Sequence, residues 1–228
     1  MLYPFLTWAL VATAPMNELE TTCKQLDEAS RTLAERTAPE RMAELEDLAL
    51  WIAQQPAEAP AQLVFICTHN SRRSHMGQIW GQAAAQFYGL DGVRTFSGGT
   101  EVTAFNPRAV QALRAMGVGL EPAAQGPAEN PRYVVRLLDP AFETLAFSKH
   151  FGDPTNPASG FAAVMTCSEA DGACPVVFGS AARFSLPYID PKSSDGTPQE
   201  PQVYAERARQ IGAEMFYVMR RAAALRKP

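Results

Sequence analysis

Cysteine is scarce: Cys23, Cys67, Cys167 and Cys174 are the only four among 228 residues. They are too few and too scattered for the disulfide framework of a small secreted fold, and in a chain of this length they read as reduced thiols of a cytoplasmic protein. Charge of one sign is missing too. Twenty Lys and Arg stand against 24 Asp and Glu, a net charge of −4. With no basic run to offset that balance, a nucleic-acid partner is excluded. An anionic substrate would have to be drawn by a local site and not by the field of the whole molecule. Long hydrophobic runs are also lacking. Leu2 to Ala14 is apolar but too short to span a bilayer, so no membrane partner is expected. It has no basic leader, and Pro15 stands where cleavage after Ala14 would fall. Residues 1–15 therefore read as an upstream extension or a mis-assigned start in preference to a weak signal peptide, with Met16 opening a sequence of normal polarity.

What is present is a change of style along the chain. Leu19, Cys23, Leu26 and Leu33 recur at helical spacing over residues 17–36, which puts Cys23 on an apolar, core-facing side. Thr37 and Glu40 have the spacing of a capping box for a second helix, whose stripe is Met42, Leu45, Leu48, Ala49 and Ile52. AQQPAEAPAQ then reads as a linker. The expected organisation is an N-terminal helical extension over residues 1–60 and an α/β domain over 61–228. The extension could serve dimerisation or docking, or cover an open sheet surface.

Beyond residue 60 the pattern alternates. Leu63 to Ile66 and Phe161 to Thr166 are short apolar runs suited to buried parallel strands, and Val93 to Phe96 looks like another strand. Helical patterns follow at Ser74–Tyr88 and from Asn106-Pro107 to Met116, the latter with an N-cap and Pro at the first helical position. A last helix spans residues 202–225, with Val203, Ile211, Met215 and Val218 inward. Strands alternating with helices predict a doubly wound parallel sheet of about four strands, with helices on both faces. Residues 120–160 break the rhythm. There Arg132–Leu138 and Thr144–Ser148 read as an inserted β-hairpin.

The sharpest chemistry lies in Cys67-Thr-His-Asn-Ser-Arg-Arg-Ser74, directly after a strand and before a helix. A loop entering a helix N-terminus aims several backbone N–H groups at one point and so makes an anion site. Such a setting favours thiolate over thiol. Arg73 can fork two N–H groups onto a tetrahedral oxyanion. Ser74 can hydrogen-bond the sulfur. Thr68, His69, Asn70, Ser71, Arg72 and Arg73 would line the anion.

VFICTHNSRRSHM resembles the phosphate-binding loop of low-molecular-weight protein tyrosine phosphatases and of the arsenate reductases built on that fold. FSGGT (96–100) is similar to their second-strand segment and NPRAVQALRAMGV (106–118) to the helix after it. The resemblance covers roughly residues 62–225, interrupted by the 120–160 insert. It implies a low-molecular-weight phosphatase-like catalytic domain with Cys67 as nucleophile. It also implies a general acid in a late Asp-Pro pair, here Asp190-Pro191. CSEADGACP (167–175) resembles the redox segment of the thioredoxin-coupled reductases. That likeness implies a relay in which Cys67 attacks arsenate, Cys167 takes the Cys67 sulfur and releases arsenite, and Cys174 resolves the disulfide for thioredoxin to reduce.

Departures from the family pattern are His69, where Gly is usual, and Arg72, where the reductases commonly have Cys. Both add positive potential; His69 could equally be a loop residue accepting an unusual backbone angle. Gln78 stands where some reductases place an acid that, with the loop Asn, binds potassium, so no metal is expected, and no cofactor. Tyr133, Phe147 and Tyr188 could wall the site or pack the hairpin. Three readings remain: a thioredoxin-coupled arsenate reductase, a phosphatase acting on phosphomonoesters, and a non-catalytic arsenic-binding or redox-sensing protein. The first two share Cys67, Arg73 and Asp190, and only the Cys167/Cys174 pair divides them.

Overall fold

The structure, a computed structural model, describes residues 14–56, 58–173 and 176–226. Two helices, α1 (Ala14–Arg31) and α2 (Pro39–Ala53), precede an alternating series. β1 (Ala61–Cys67) leads to α3 (Arg73–Phe87), β2 (Val93–Gly99) and α4 (Pro107–Arg114). β3 (Gly119–Pro122), β4 (Tyr133–Arg136) and β5 (Glu143–Ala146) form an excursion. β6 (Phe161–Met165), α5 (Ser168–Ala173), β7 (Ser180–Ser185) and α6 (Glu200–Leu225) complete the chain.

The main sheet is parallel throughout, in the order β2-β1-β6-β7. β1 is a central strand, and its residues alternate between two cores. Leu63 and Phe65 face the larger one, with α3, α6 and the N-terminal helices. Val64 and Ile66 face a smaller one with Phe161, Ala163, Met165 and Ala170. Burial on both faces accounts for the unbroken apolar run. α3 lies close against β1 at Gly77, where a Cβ would meet Phe65 Cδ1 at 2.4 Å. The order reverses between β1 and β6, so the crevice beyond their carboxyl ends is the ligand position of an open α/β sheet.

Leu19, Cys23, Leu26, Leu45, Leu48, Ala49 and Ile52 join the same core as α3 and α6. The two N-terminal helices thus share the core of the α/β unit, and α1 packs so tightly on α6 that a Cβ at Gly212 would meet Leu26 Cδ1 at 2.8 Å. Burial pushes the Cys23 thiol up to about 12, so it is an inert core residue.

Several sequence expectations are corrected. The first helix stops at Arg31 and continues only as a 3₁₀ turn, Leu33–Glu35. The capping box at Thr37 is not made: Ala38 is the N-cap, without a side-chain bond, and Pro39 begins the helix. Proline at the first turn sets φ for helix and has no N–H to satisfy, which suffices. The expected hairpin is the β4–β5 pair of a three-stranded antiparallel sheet, whose third member, β3, pairs with β4. β3 escaped notice because it has four residues and ends in Pro122. β7, an edge strand of sequence SAARFS, has too little apolar character to be read locally. On α6, Ile211, Met215 and Val218 are buried but Val203 is only half-buried. No helix among the described residues is long and apolar enough to cross a membrane.

Candidate active site

Cys67 is the last residue of β1 and Arg73 the first of α3, so residues 68–72 make the turn from sheet to helix. The sulfur of Cys67 is buried 3.1 Å from Ser74 Oγ. Ser74 Oγ in turn accepts from Asn70 Nδ2 at 2.8 Å. Asn70 is fully buried with φ +44°, so the unusual backbone angle falls on it and not on His69. Asparagine tolerates the left-handed region better than other non-glycine residues. Its Oδ1 also accepts from the Lys149 N–H at 2.9 Å.

Arg73 faces a carboxylate. Nη2 donates to Asp190 Oδ2 at 2.8 Å and Nη1 to the Tyr188 carbonyl at 2.9 Å. Arg73 Nε is buried with no hydrogen-bond partner among the described residues. Asp190 also caps the 3₁₀ turn Pro191–Ser194, accepting from the Lys192 N–H. The structure therefore brings Cys67, Arg73, Ser74 and Asp190 to one crevice at the switch point.

The remaining loop residues divide. Ser71 Oγ donates to the Ala104 carbonyl, and its own carbonyl accepts from the Asn106 N–H. Asn106 is the N-cap of α4, as expected. Arg72 donates from Nε to Tyr204 at 2.8 Å and from Nη2 to Asp195 at 3.4 Å. Its charge is engaged by α6 and the segment before it. The His69 ring lies 3.3 Å from Glu101 in an exposed pair.

Cys167 follows β6 and is fully buried. β1 and β6 are paired with Ile66 opposite Met165, so Cys67 and Cys167 leave neighbouring strands at the same end. Thr68 Oγ1 lies 3.4 Å from Cys167 Sγ, and the Ala170 N–H donates to that sulfur at 3.4 Å. Cys67 and Cys167 are free thiols. Cys174 lies outside the described residues.

Sequence reasoning missed three contributors, Arg41, Glu214 and Ser148, and gave Tyr188 only as an aromatic that could wall the site. Tyr188 supplies the carbonyl that holds Arg73, and its hydroxyl donates to Glu214 at 2.7 Å. Glu214 is paired with Arg41 of α2 at 2.7 Å, and the Arg41 guanidinium lies 4.7 Å over the Tyr188 ring. Burial, then the Glu214 charge, push the Tyr188 phenol well above its ordinary range, so it stays a donor. Ser148 donates to the His69 carbonyl at 2.9 Å. Apart from the aromatic Tyr188, these residues carry no local signal. Of the other aromatics, Tyr133 packs on Phe105 and Phe147 lies under Arg132 and Lys149. Among the described residues no cluster of His, Cys, Asp and Glu could hold a metal ion.

No family model matches the chain. An arsenate reductase of Bacillus subtilis (strain 168) is 26% identical over 147 residues, covering 64% of this chain and 86% of that protein. An arsenate reductase of Staphylococcus epidermidis is 28% identical over 129 residues, covering 57% and 77%. Among solved structures, a low-molecular-weight protein tyrosine phosphatase from T. tengcongensis aligns with a TM-score of 0.47 and 16% identity, over 70% of this chain and 98% of that one. Along most of their length these arsenate reductases are similar to this chain, whose parallel sheet carries the Cys67 loop at its switch point.

Proposed function

We propose that the protein reduces arsenate to arsenite, with Cys67 as nucleophile and Cys167 as the second thiol. The observation that carries this reading is that two free thiols stand at the same end of paired strands, with the Thr68 hydroxyl on the Cys167 sulfur. Phosphate-ester hydrolysis uses one thiol; a two-electron reduction needs a second.

In the proposed sequence, Arg73 and the loop N–H groups hold arsenate, and the Cys67 thiolate attacks arsenic as water leaves. The oxyanion takes over the Arg73 donors, Nε included, and frees the Asp190 carboxyl to deliver the proton to the departing oxygen. Ser74 hydrogen-bonds the Cys67 sulfur throughout. The Cys167 thiolate then attacks the Cys67 sulfur. The sulfur–arsenic bond breaks, its electron pair stays on arsenic, and arsenite departs from a Cys67–Cys167 disulfide. Cys174 attacks Cys167, which returns Cys67 to the thiolate. Thioredoxin reduces the resulting Cys167–Cys174 disulfide. The thioredoxin step rests on the likeness of residues 167–175 to the redox segment of thioredoxin-coupled reductases.

The test is NADPH consumption by the full chain with thioredoxin, thioredoxin reductase and arsenate, beside para-nitrophenyl phosphate hydrolysis by the same sample. Arsenate-dependent oxidation is expected, lost in Cys67→Ser and in Cys174→Ser. Brisk ester hydrolysis without arsenate-dependent oxidation would make the protein a phosphatase. Tight arsenic binding without turnover would leave it a binding or sensing protein.

A further inference from the structure

A second cavity, of about 530 Å³, opens beside the loop, and none of Cys67, Arg73, Asp190 or Cys167 lines it. Its walls include Gln78 of α3, Phe96 of β2, and Arg132, Phe147, Lys149 and Asp153 of the excursion. Lys149 is 4% exposed, yet its ammonium has neither a hydrogen bond nor an ion pair among the described residues. It sits 4.5 Å over the Phe147 ring. The Arg132 guanidinium lies 4.6 Å from the centre of the same ring, and its buried Nε has no partner.

Buried cations are ordinarily paired, because leaving water without a counter-charge is costly. Here the aromatic ring supplies part of the compensation. Asp153 is the carboxylate of the cavity wall nearest in charge to both: the Thr155 hydroxyl and N–H bind it, and Lys149 and Arg132 help hold its carboxyl below the usual range against the opposing effect of burial. Glu143 also lines the cavity but is exposed and paired with Arg136. Two cations against one unshared carboxylate leave a single positive charge facing a space whose other walls include the apolar Phe96, Phe147, Leu145 and Pro154 beside the uncharged Gln78, Thr144 and Thr155. A monoanion with an apolar body satisfies both features. A dianion would be over-charged for the cavity, and a neutral apolar molecule would leave the ammonium bare.

We propose that this cavity binds a small organic monocarboxylate, its carboxylate received by Lys149 and Arg132 and its carbon body by Phe147 and Phe96. The site is distinct from the Cys67 loop and does not depend on the proposed reaction. It adjoins the loop, however, through the Lys149 N–H on Asn70 Oδ1. Burial, and secondarily Arg132, lower the Lys149 ammonium to about 8 against the opposing pull of Asp153. An anion in the cavity would raise it again. The neighbouring His75 is buried and held neutral, so it adds no charge there.

The test is calorimetric titration of the full chain with benzoate, in the presence of phosphate at a concentration that saturates the Cys67 loop. One-to-one binding that persists under phosphate is expected. Lys149→Met should weaken it by about tenfold or more, the loss of a charge-assisted contact, and Arg132→Gln by a similar factor. Affinity should also fall as pH rises past the Lys149 value, a dependence absent from Lys149→Met. Should Lys149→Met fail to fold, as judged by its circular dichroism, Arg132→Gln and the pH profile of the wild-type protein decide. Absence of binding, displacement of benzoate by phosphate, or equal affinity in Arg132→Gln would overturn the proposal. Nitrate binding as tightly as benzoate would overturn its organic part.

Discussion

Two regions lie outside the parallel sheet, and both reach the Cys67 loop, but by different physical means. The N-terminal helices reach it through charge. Arg41 pairs with Glu214, Glu214 accepts from the Tyr188 hydroxyl, and the Tyr188 carbonyl holds Arg73. The β3–β5 excursion reaches it through backbone. Lys149 gives its N–H to Asn70 and its carbonyl accepts from the Gly99 N–H, with the Ser148 hydroxyl on the His69 carbonyl as a side-chain addition. A side-chain route through a buried ion pair fails when one residue is removed, because a bare charge stays behind. A backbone strap survives most substitutions, since the groups that make it belong to every residue. The loop is therefore vulnerable from the side of the extension and robust from the side of the excursion.

The largest effect should come from Arg41→Met. It strands Glu214, which is 3% exposed, and breaking a buried pair in this way typically costs about 3–5 kcal/mol. Urea unfolding should show that loss, and steady-state arsenate turnover should fall with it. Replacing both partners, Arg41→Met with Glu214→Leu, should restore most of the stability but not the turnover, since Tyr188 still lacks its acceptor. A single Arg41→Met variant that melts like the wild type would remove the extension from the active site altogether.

Asn70 should come next, because it joins the strap to the Ser74 hydroxyl. Asn70→Gly keeps the left-handed backbone but loses the bonds to Ser74 and Lys149. It should cost about 1–3 kcal/mol and slow turnover. Asn70→Ala adds backbone strain at φ +44° and should be worse than Asn70→Gly. If the two variants unfold at the same denaturant concentration, strain at this position is not being stored.

The smallest effect belongs to Ser148→Ala. The His69 carbonyl keeps the Thr103 hydroxyl, and the Lys149 main-chain bonds are untouched. A stability loss under about 1 kcal/mol is expected, with turnover close to normal. A loss as large as that of Arg41→Met would show that the strap depends on its side chain, and the contrast between the two regions would collapse.

The same division separates what was legible in the sequence from what was not. Strands and helices were read where apolar spacing was strong: β1, β2, β6, α3 and the buried part of α6. β3 and β7 were not, since four residues ending in proline and a half-polar edge strand carry little periodic signal. Within the site, the Cys67 loop, Arg73, Ser74 and the Asn106 cap were legible because each works over a few residues of chain. Arg72 was read as potential for the anion but is engaged by Tyr204, 132 positions away. Arg41 and Glu214 were invisible, being 173 positions apart.

The sequence by itself determined the thiol loop between a strand and a helix, the alternating sheet and the candidate second thiol. Those features follow from local periodicity, capping and loop chemistry. Only the tertiary structure decided which carboxylate each arginine meets, which thiol stands beside the loop and which buried cationic atoms lack a partner among the described residues. A side chain's electrostatic partner depends on which distant elements pack together, and local pattern does not encode that pairing.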